Sequence, residues 1–270
     1  MIRSILVGWA VCLCCSCGKK GANSEKFIPS APVLTTELNH YKKAETINYT
    51  AKLGLLKAAD IVLNIDKELS MVDTTKCYKV GLMGSLDGTV DLFSELNDTF
   101  YSYVDTHSLK PRLFIKDQQE NKYTRLEYTY FDFTKKQAKT VLKHTDSPDS
   151  IKYHPISEHV NDMLTSYFHL RKIDFDKYQE GDTLKIDVFL DYDSHNFKFI
   201  LKKREQIHTK IGARKSILLM PIVPENELFR GDNPVSIWIS DDENRIPLRL
   251  KAKSWVGNVE VDIKEYVNKR

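Results

Sequence analysis

From about residue 45 onward, apolar and polar side chains alternate with a period of two. Ile47, Tyr49, Ala51 and Leu53 alternate with Thr46, Asn48, Thr50 and Lys52. The same rhythm runs through Ile61, Leu63 and Ile65, through Leu184, Ile186, Val188 and Leu190, and through Phe197, Phe199 and Leu201. Alternation of this kind predicts antiparallel strands that bury one face. Further strands are expected over residues 75–86, 89–96, 99–106, 110–118, 122–133, 136–143, 206–211, 215–222, 234–241, 246–254 and 257–264. Turn chemistry separates them at Asp87-Gly88, Asn97-Asp98, Gly181-Asp182, Asp193-Ser194 and Asp241-Asp242-Glu243-Asn244. So many twisted strands curl or split into layers. The expected fold is mainly β, a curved antiparallel meander sheet or open half-barrel, with one amphipathic helix packed against it.

That helix is expected over His159 to Lys172, with Ser157 upstream as a candidate N-cap. Val160, Met163, Leu164, Tyr167, Phe168 and Leu170 project to one side, and Asn161, Asp162, Thr165, Ser166 and His169 to the other. Arg171 breaks the pattern, because it projects onto the apolar side. It sits in the last turn, where the helix dipole favours a cation and the stem can snorkel. The alternative is a buried ion pair with a carboxylate of the chain or of a ligand. Arg171 is therefore the one weak candidate for ligand binding.

The first seventeen residues follow a different pattern. Met1-Ile2-Arg3 leads into an apolar run from Ile5 to Leu13 and then Cys14-Cys15-Ser16-Cys17. The run is shorter than the ~20 apolar residues that span a bilayer, and Gly18-Lys19-Lys20 ends it. It reads as a cleaved export signal, and its end resembles a bacterial lipobox. Ser16 fits the place before the cysteine, whereas Cys14 stands where Leu is usual. Cys17 is the expected lipidation site, with Cys15 or a plain secreted form as alternatives. The expected organisation is a signal peptide over 1–16, a lipidated Cys17 and flexible tether over 17–43, and a single β-rich domain over 44–270. The basic residues after Cys17 favour a periplasm-facing position, anchored through the lipid to the outer membrane.

Cleavage before Cys17 also removes Cys12, Cys14 and Cys15. With Cys17 acylated, Cys77 is left without a disulfide partner. Its place in the extended pattern Lys76-Cys77-Tyr78-Lys79-Val80 suits a small buried hydrophobe. The formal charge of +3 falls by one, to +2, when Arg3 leaves with the signal. Charges of both signs are interleaved, so nothing points to nucleic acid. The 13 Tyr and 12 Phe favour strands and can also line apolar ligand sites.

Catalytic patterns do not emerge. His159, Asp162 and His169 share the polar helix side, but Asp162 and His169 stand roughly 10 Å apart along the axis. One ion cannot take both at ligand distances near ~2 Å. The acidic pairs Asp191/Asp193 and Asp241/Asp242 fall at strand ends, where Asp serves turns. No Gly-x-Ser-x-Gly, His-Glu-x-x-His or glycine-rich phosphate loop occurs. The expectation is a non-enzyme with no metal and no cofactor. Asp73-Thr74-Thr75 and Asp182-Thr183-Leu184 match a short O-glycosylation acceptor, and ordinary turn chemistry accounts for them equally well.

The chain resembles a bacterial family of unknown function, DUF3108, from about Asn48 to Val267. The matching pieces are Ile47-Asn48-Tyr49, Leu53-Gly54, Ala58-Ala59 and Tyr103-Val104-Asp105 running to Leu109-Lys110-Pro111. They continue through Asp162 to Arg171, Gly181-Asp182, Ile237-Trp238-Ile239-Ser240, Ile246-Pro247-Leu248 and Gly257. The resemblance implies an exported protein whose form is similar to the curved half-barrels of lipoprotein carriers. The leading functional expectation is a cell-envelope lipoprotein that binds an apolar or amphiphilic ligand, a lipid or glycan-lipid. The alternatives are an envelope scaffold or interaction module, with partners the sequence leaves unspecified, and an envelope hydrolase.

Overall fold

The computed structural model describes residues 44–86, 96–120, 123–144, 148–222, 234–254 and 257–268. The expected signal, Cys17, the tether to residue 43 and the Asp87-Gly88 turn lie outside these residues.

In chain order the strands are β1 (Glu45–Leu53), β2 (Leu56–Ile65), β3 (Ser70–Val72), β4 (Thr75–Leu86), β5 (Leu96–Asp105), β6 (Pro111–Glu120), β7 (Tyr123–Asp132), β8 (Gln137–His144) and β9 (Ser150–Pro155). Helix α1 (Met163–Arg171) and a 3-10 turn at Phe175–Lys177 follow. The chain then returns to strands in β10 (Thr183–Leu190), β11 (Asp193–Thr209), β12 (Gly212–Pro221), β13 (Val235–Ser240), β14 (Pro247–Ser254) and β15 (Gly257–Asn268). All belong to one antiparallel sheet ordered β10-β11-β12-β13-β14-β15-β1-β2-β4-β5-β6-β7-β8-β9, with β3 attached to β4. Two meanders thus meet where the first strand pairs with the last, Glu45 opposite Asn268.

The sheet curls but does not close, since β9 and β10 remain its edges. The stretch before the helix reaches across to β10. Asn161 N–H donates to the Asp187 carbonyl at 2.9 Å, and Phe189 N–H donates to the Asn161 carbonyl at 2.7 Å. His154 on β9 stacks on Tyr192 at the β10–β11 turn, with ring centroids 5.2 Å apart. An open half-barrel with a helix against it is therefore the observed fold.

The alternation explains which way the strands face. Ile47, Tyr49 and Ala51 of β1, Ile61, Leu63 and Ile65 of β2, and Val259, Val261 and Ile263 of β15 are all buried. They belong to a large apolar cluster that also takes Phe100, Phe114, Phe131, Met163, Leu164 and Phe168. A second cluster gathers Leu170, Ile173 and Phe175 against Ile186, Val188, Phe199, Leu201, Ile217 and Ile239. Each fully buried Leu, Ile or Phe contributes ~1.5–3 kcal/mol relative to exposure.

Several boundaries differ from the sequence pattern. Asn97 and Asp98 do not form a turn but continue β5, with Asp98 buried. Residues expected as two strands fuse into the single 17-residue β11. The edge strand β9 falls where the pattern predicts no strand. The helix starts four residues late, because residue 161 is bound to β10 and Asp162 supplies the cap instead of Ser157.

Candidate functional site

The helix is fixed at both ends by buried polar groups. At its start, Asp162 Oδ1 accepts from the Leu164 and Thr165 amides at 2.9 and 2.7 Å, the arrangement of an N-cap. Its Oδ2 accepts from Ser102 Oγ on β5 at 2.5 Å, and Ser102 also meets Thr165 Oγ1 at 3.1 Å. The cap therefore ties the helix to the sheet. Burial raises the Asp162 carboxyl to about 6, against the opposing pull of these hydrogen bonds. The helix side expected to be solvated is in fact inside: Asp162 and Thr165 are both buried.

Arg171 anchors the other end. Its guanidinium is 1% exposed and grips Glu45 of β1 in a fork, Nη1 to Oε1 at 2.6 Å and Nη2 to Oε2 at 3.0 Å. Nε donates to the Asn244 carbonyl at 2.8 Å, and Nη1 also reaches the Tyr167 hydroxyl at 3.3 Å. The Tyr266 hydroxyl donates to Glu45 Oε2 at 3.1 Å. Burial opposes the Arg171 charge, but Tyr167 and Glu45 outweigh it and hold the group above the usual guanidinium range. Burial, with Glu45 beside it, pushes the Tyr266 hydroxyl up to about 12. The carboxylate that the sequence could not name is thus Glu45, within the chain.

Between these two anchors the helix roofs a cavity of about 200 Å³, partly open to solvent. Met163, Leu164, Ser166, Tyr167 and Leu170 face it from the helix. Tyr49, Ile61, Leu63, Leu82 and Val261 line it from one side, and Ile186, Val188, Leu190, Phe197, Phe199, Ile237 and Ile239 from the other. These two groups come from the two apolar clusters, so the cavity lies on the seam where the clusters face each other. Its polar contributors are already engaged. Ser166 Oγ donates to the Met163 carbonyl at 2.7 Å, and the Tyr49 hydroxyl donates to the Pro247 carbonyl at 3.1 Å. Arg249 is the one charged residue of the lining, and its guanidinium is committed to Asp262 and the His208 carbonyl. Such a lining offers apolar contact and no fixed charge.

The other expected candidates stay apart. His159 is exposed, while burial and the neighbouring Lys172 hold His169 below the usual imidazole range. Asp193 and Asp242 accept backbone amides in turns. Among the described residues, no three His, Cys, Asp or Glu side chains converge as metal ligands. Cys77 is fully buried, and burial raises its thiol to about 11. Cys17 lies outside the described residues. Glu45 was the residue the sequence reading missed. It begins β1 on the inward-facing parity with Ile47 and Tyr49, so a carboxylate on that parity was the signal for it.

Comparison with known proteins gives a consistent picture. The model of a protein family of unknown function, DUF3108, matches residues 48–264. No curated protein matches. Among solved structures, a beta-barrel-like protein of the domain of unknown function DUF1849 from Brucella abortus superposes with a TM-score of 0.52 at 8% identity, covering 85% of this chain and 100% of that one. A structure described as a "putative lipoprotein" from Parabacteroides distasonis covers 83% of this chain and 95% of its own at 9% identity. Its TM-score is 0.28, too low to carry any argument.

Proposed function

The chain belongs to the DUF3108 family of proteins of unknown function, and from that premise we propose that it is a non-catalytic cell-envelope lipoprotein that holds an apolar segment of an amphiphilic ligand. The observation that carries this reading is the apolar cavity between helix and sheet, whose one charged lining residue, Arg249, is paired with Asp262. Its volume of about 200 Å³ exceeds the ~150 Å³ of apolar cavities that take up benzene. It is smaller than the ~300–1,000 Å³ pockets that engulf whole drug-sized ligands. A short run of an acyl chain fits this size, with the polar part of the lipid or glycan-lipid left at the open side. The lipobox-like end at Cys17 and the basic residues after it support a periplasm-facing protein tethered to the outer membrane. A catalytic role finds less support. Glu260 and Asp262, carboxylates on either side of the lining residue Val261, are paired with Lys251 and Arg249.

Native mass spectrometry of the gently purified protein, together with titration of the apolar fluorophore N-phenyl-1-naphthylamine, tests this reading. The expected result is a co-purifying apolar mass and saturable binding of one fluorophore per chain. Ser166→Phe, which places a ring in the cavity from the helix, should weaken that binding at least tenfold while the melting transition is kept. A protein without bound mass that binds the fluorophore no better than Ser166→Phe does would overturn the proposal.

A further inference from the structure

An antiparallel sheet with one face on the core normally presents polar residues on the other. Strands β5 to β9 do so only towards the ends of their outer face, at Thr99, Asp117, Lys143, Asp132 and Gln137. Their inward residues, such as Phe100, Ser102, Phe114, Glu127, Thr129 and Phe131, are buried. The register aligns the opposite positions into two rows across the outer face. One row runs Tyr103, Leu113, Tyr130, Lys139, Tyr153, and the next runs Tyr101, Ile115, Tyr128, Val141, Ile151. Nine of these ten positions are aromatic or aliphatic, and at ~4.8 Å per strand the rows extend about 19 Å. Tyr130, Ile151 and Tyr153 are 39%, 56% and 58% exposed. On β1 and β15 the outer face is polar, with Thr46, Asn48 and Lys52 on the one and Glu260, Asp262 and Lys264 on the other.

Lysines on this face lie over its tyrosine rings. Lys139 lies over the Tyr130 ring at 6.0 Å and Lys143 over the Tyr128 ring at 5.9 Å. Lys79 lies over the Tyr101 ring at 4.4 Å, with Asp66 at 3.7 Å as its salt-bridge partner. The Tyr101 ring in turn lies against Gly81, where an added Cβ would sit 3.3 Å from it. Asp117 and Asp132 are the acids on the same face, and Lys135 bridges Asp132 at 3.5 Å. Tyrosines with apolar bodies and hydroxyl tips, bordered by long-stemmed lysines, have the chemistry of a water–lipid interface.

We propose that the outer face of β5–β9 is a membrane-docking surface that lies on a bilayer carrying anionic phospholipid headgroups. The aromatic rows enter the headgroup boundary, and Lys139 and Lys143 meet the phosphates. This surface is separate from the cavity and from any lipid on Cys17.

The test uses the full chain as Cys17→Ala, purified without detergent, so that no acyl group contributes. Co-sedimentation is measured with phosphatidylcholine vesicles and with vesicles containing about one third phosphatidylglycerol. The expected result is several-fold stronger partition onto the anionic vesicles, lost at high salt as screening predicts. Lys139→Glu/Lys143→Glu should weaken anionic binding on the order of 25-fold, about fivefold per lysine. Tyr130→Ser/Ile151→Ser/Tyr153→Ser should weaken binding to both vesicle types at least tenfold. If that triple variant fails to fold, the lysine pair decides alone. Equal partition onto both vesicles, or binding undiminished in the lysine variant, would overturn the proposal. So would a photocrosslinker at position 153 that captures protein in cells and no lipid.

Discussion

Replacing Arg171 with Met removes the guanidinium from a site where it is 1% exposed and leaves the equally buried Glu45 carboxylate without its cation. The Tyr266 hydroxyl at 3.1 Å then remains as a side-chain donor to it. Breaking a buried pair in this way costs about 3–5 kcal/mol, because an uncompensated charge stays behind. Whole domains are stable by only ~5–15 kcal/mol, so the single substitution should remove a large share of the total. The double variant Glu45→Leu/Arg171→Met removes both charges and should return to within about 2 kcal/mol of wild type. Urea unfolding followed by far-ultraviolet circular dichroism gives both values, provided the slope m is unchanged between variants. The coupling from the cycle should be on the order of 3 kcal/mol. A loss below about 1 kcal/mol for Arg171→Met, or a double variant no better than the sum of the singles, would refute a closed structural pair. The guanidinium would then be available to a ligand carboxylate or phosphate.

Asp162 gives a pH prediction. Its folded value of about 6 lies above the unfolded value of 3.8, so the folded state binds more protons between them. Stability should therefore fall as pH rises from about 4 to about 6, by on the order of 3 kcal/mol, and Asp162→Asn should flatten that slope while keeping the cap; a slope unchanged in Asp162→Asn would contradict the assignment. Cys77, buried and raised to about 11, should resist iodoacetamide at pH 8 until the protein is unfolded, its thiolate fraction being on the order of one in a thousand; prompt stoichiometric alkylation of the native protein would speak against its burial. Metabolic palmitate labelling should mark wild type and not Cys17→Ala; label surviving in the variant would move the acyl site to another cysteine.

Strands with an uninterrupted inward set were legible: Tyr78, Val80 and Leu82 mark β4, and Leu184, Ile186 and Val188 mark β10. Segments that obey a different constraint were not. In β9, Ile151 and Tyr153 alternate, but they face outward on an edge, where the pattern carries no core signal. Asn97-Asp98 reads as a turn by composition, yet Asp98 is buried inside β5, within 3.4 Å of Gln118 on β6. The helix start was misplaced because the hydrogen bonds of Asn161 go to β10, a partner far along the chain. Arg171 stood out as a charge on an apolar parity, but Glu45 did not, and their 126-residue separation hid that each answers the other. The cavity was illegible for a related reason. Residues from Tyr49 to Val261 line it, and no local pattern brings them together.

The pairing of β1 with β15 has a consequence for biogenesis. The domain begins and ends in the middle of its sheet, Glu45 beside Asn268, while the sheet's free edges come from mid-chain. Each meander can assemble from near-neighbour hairpins, but the ladder between them must wait for the last strand to be delivered. A chain exported amino-terminus first would expose two raw central edges until β15 crosses the membrane. Truncation at the carboxyl end should therefore give species that aggregate or are degraded. A permuted chain, with its ends joined and new ends opened in the loop after β8, would keep every ladder and make the central pairing local.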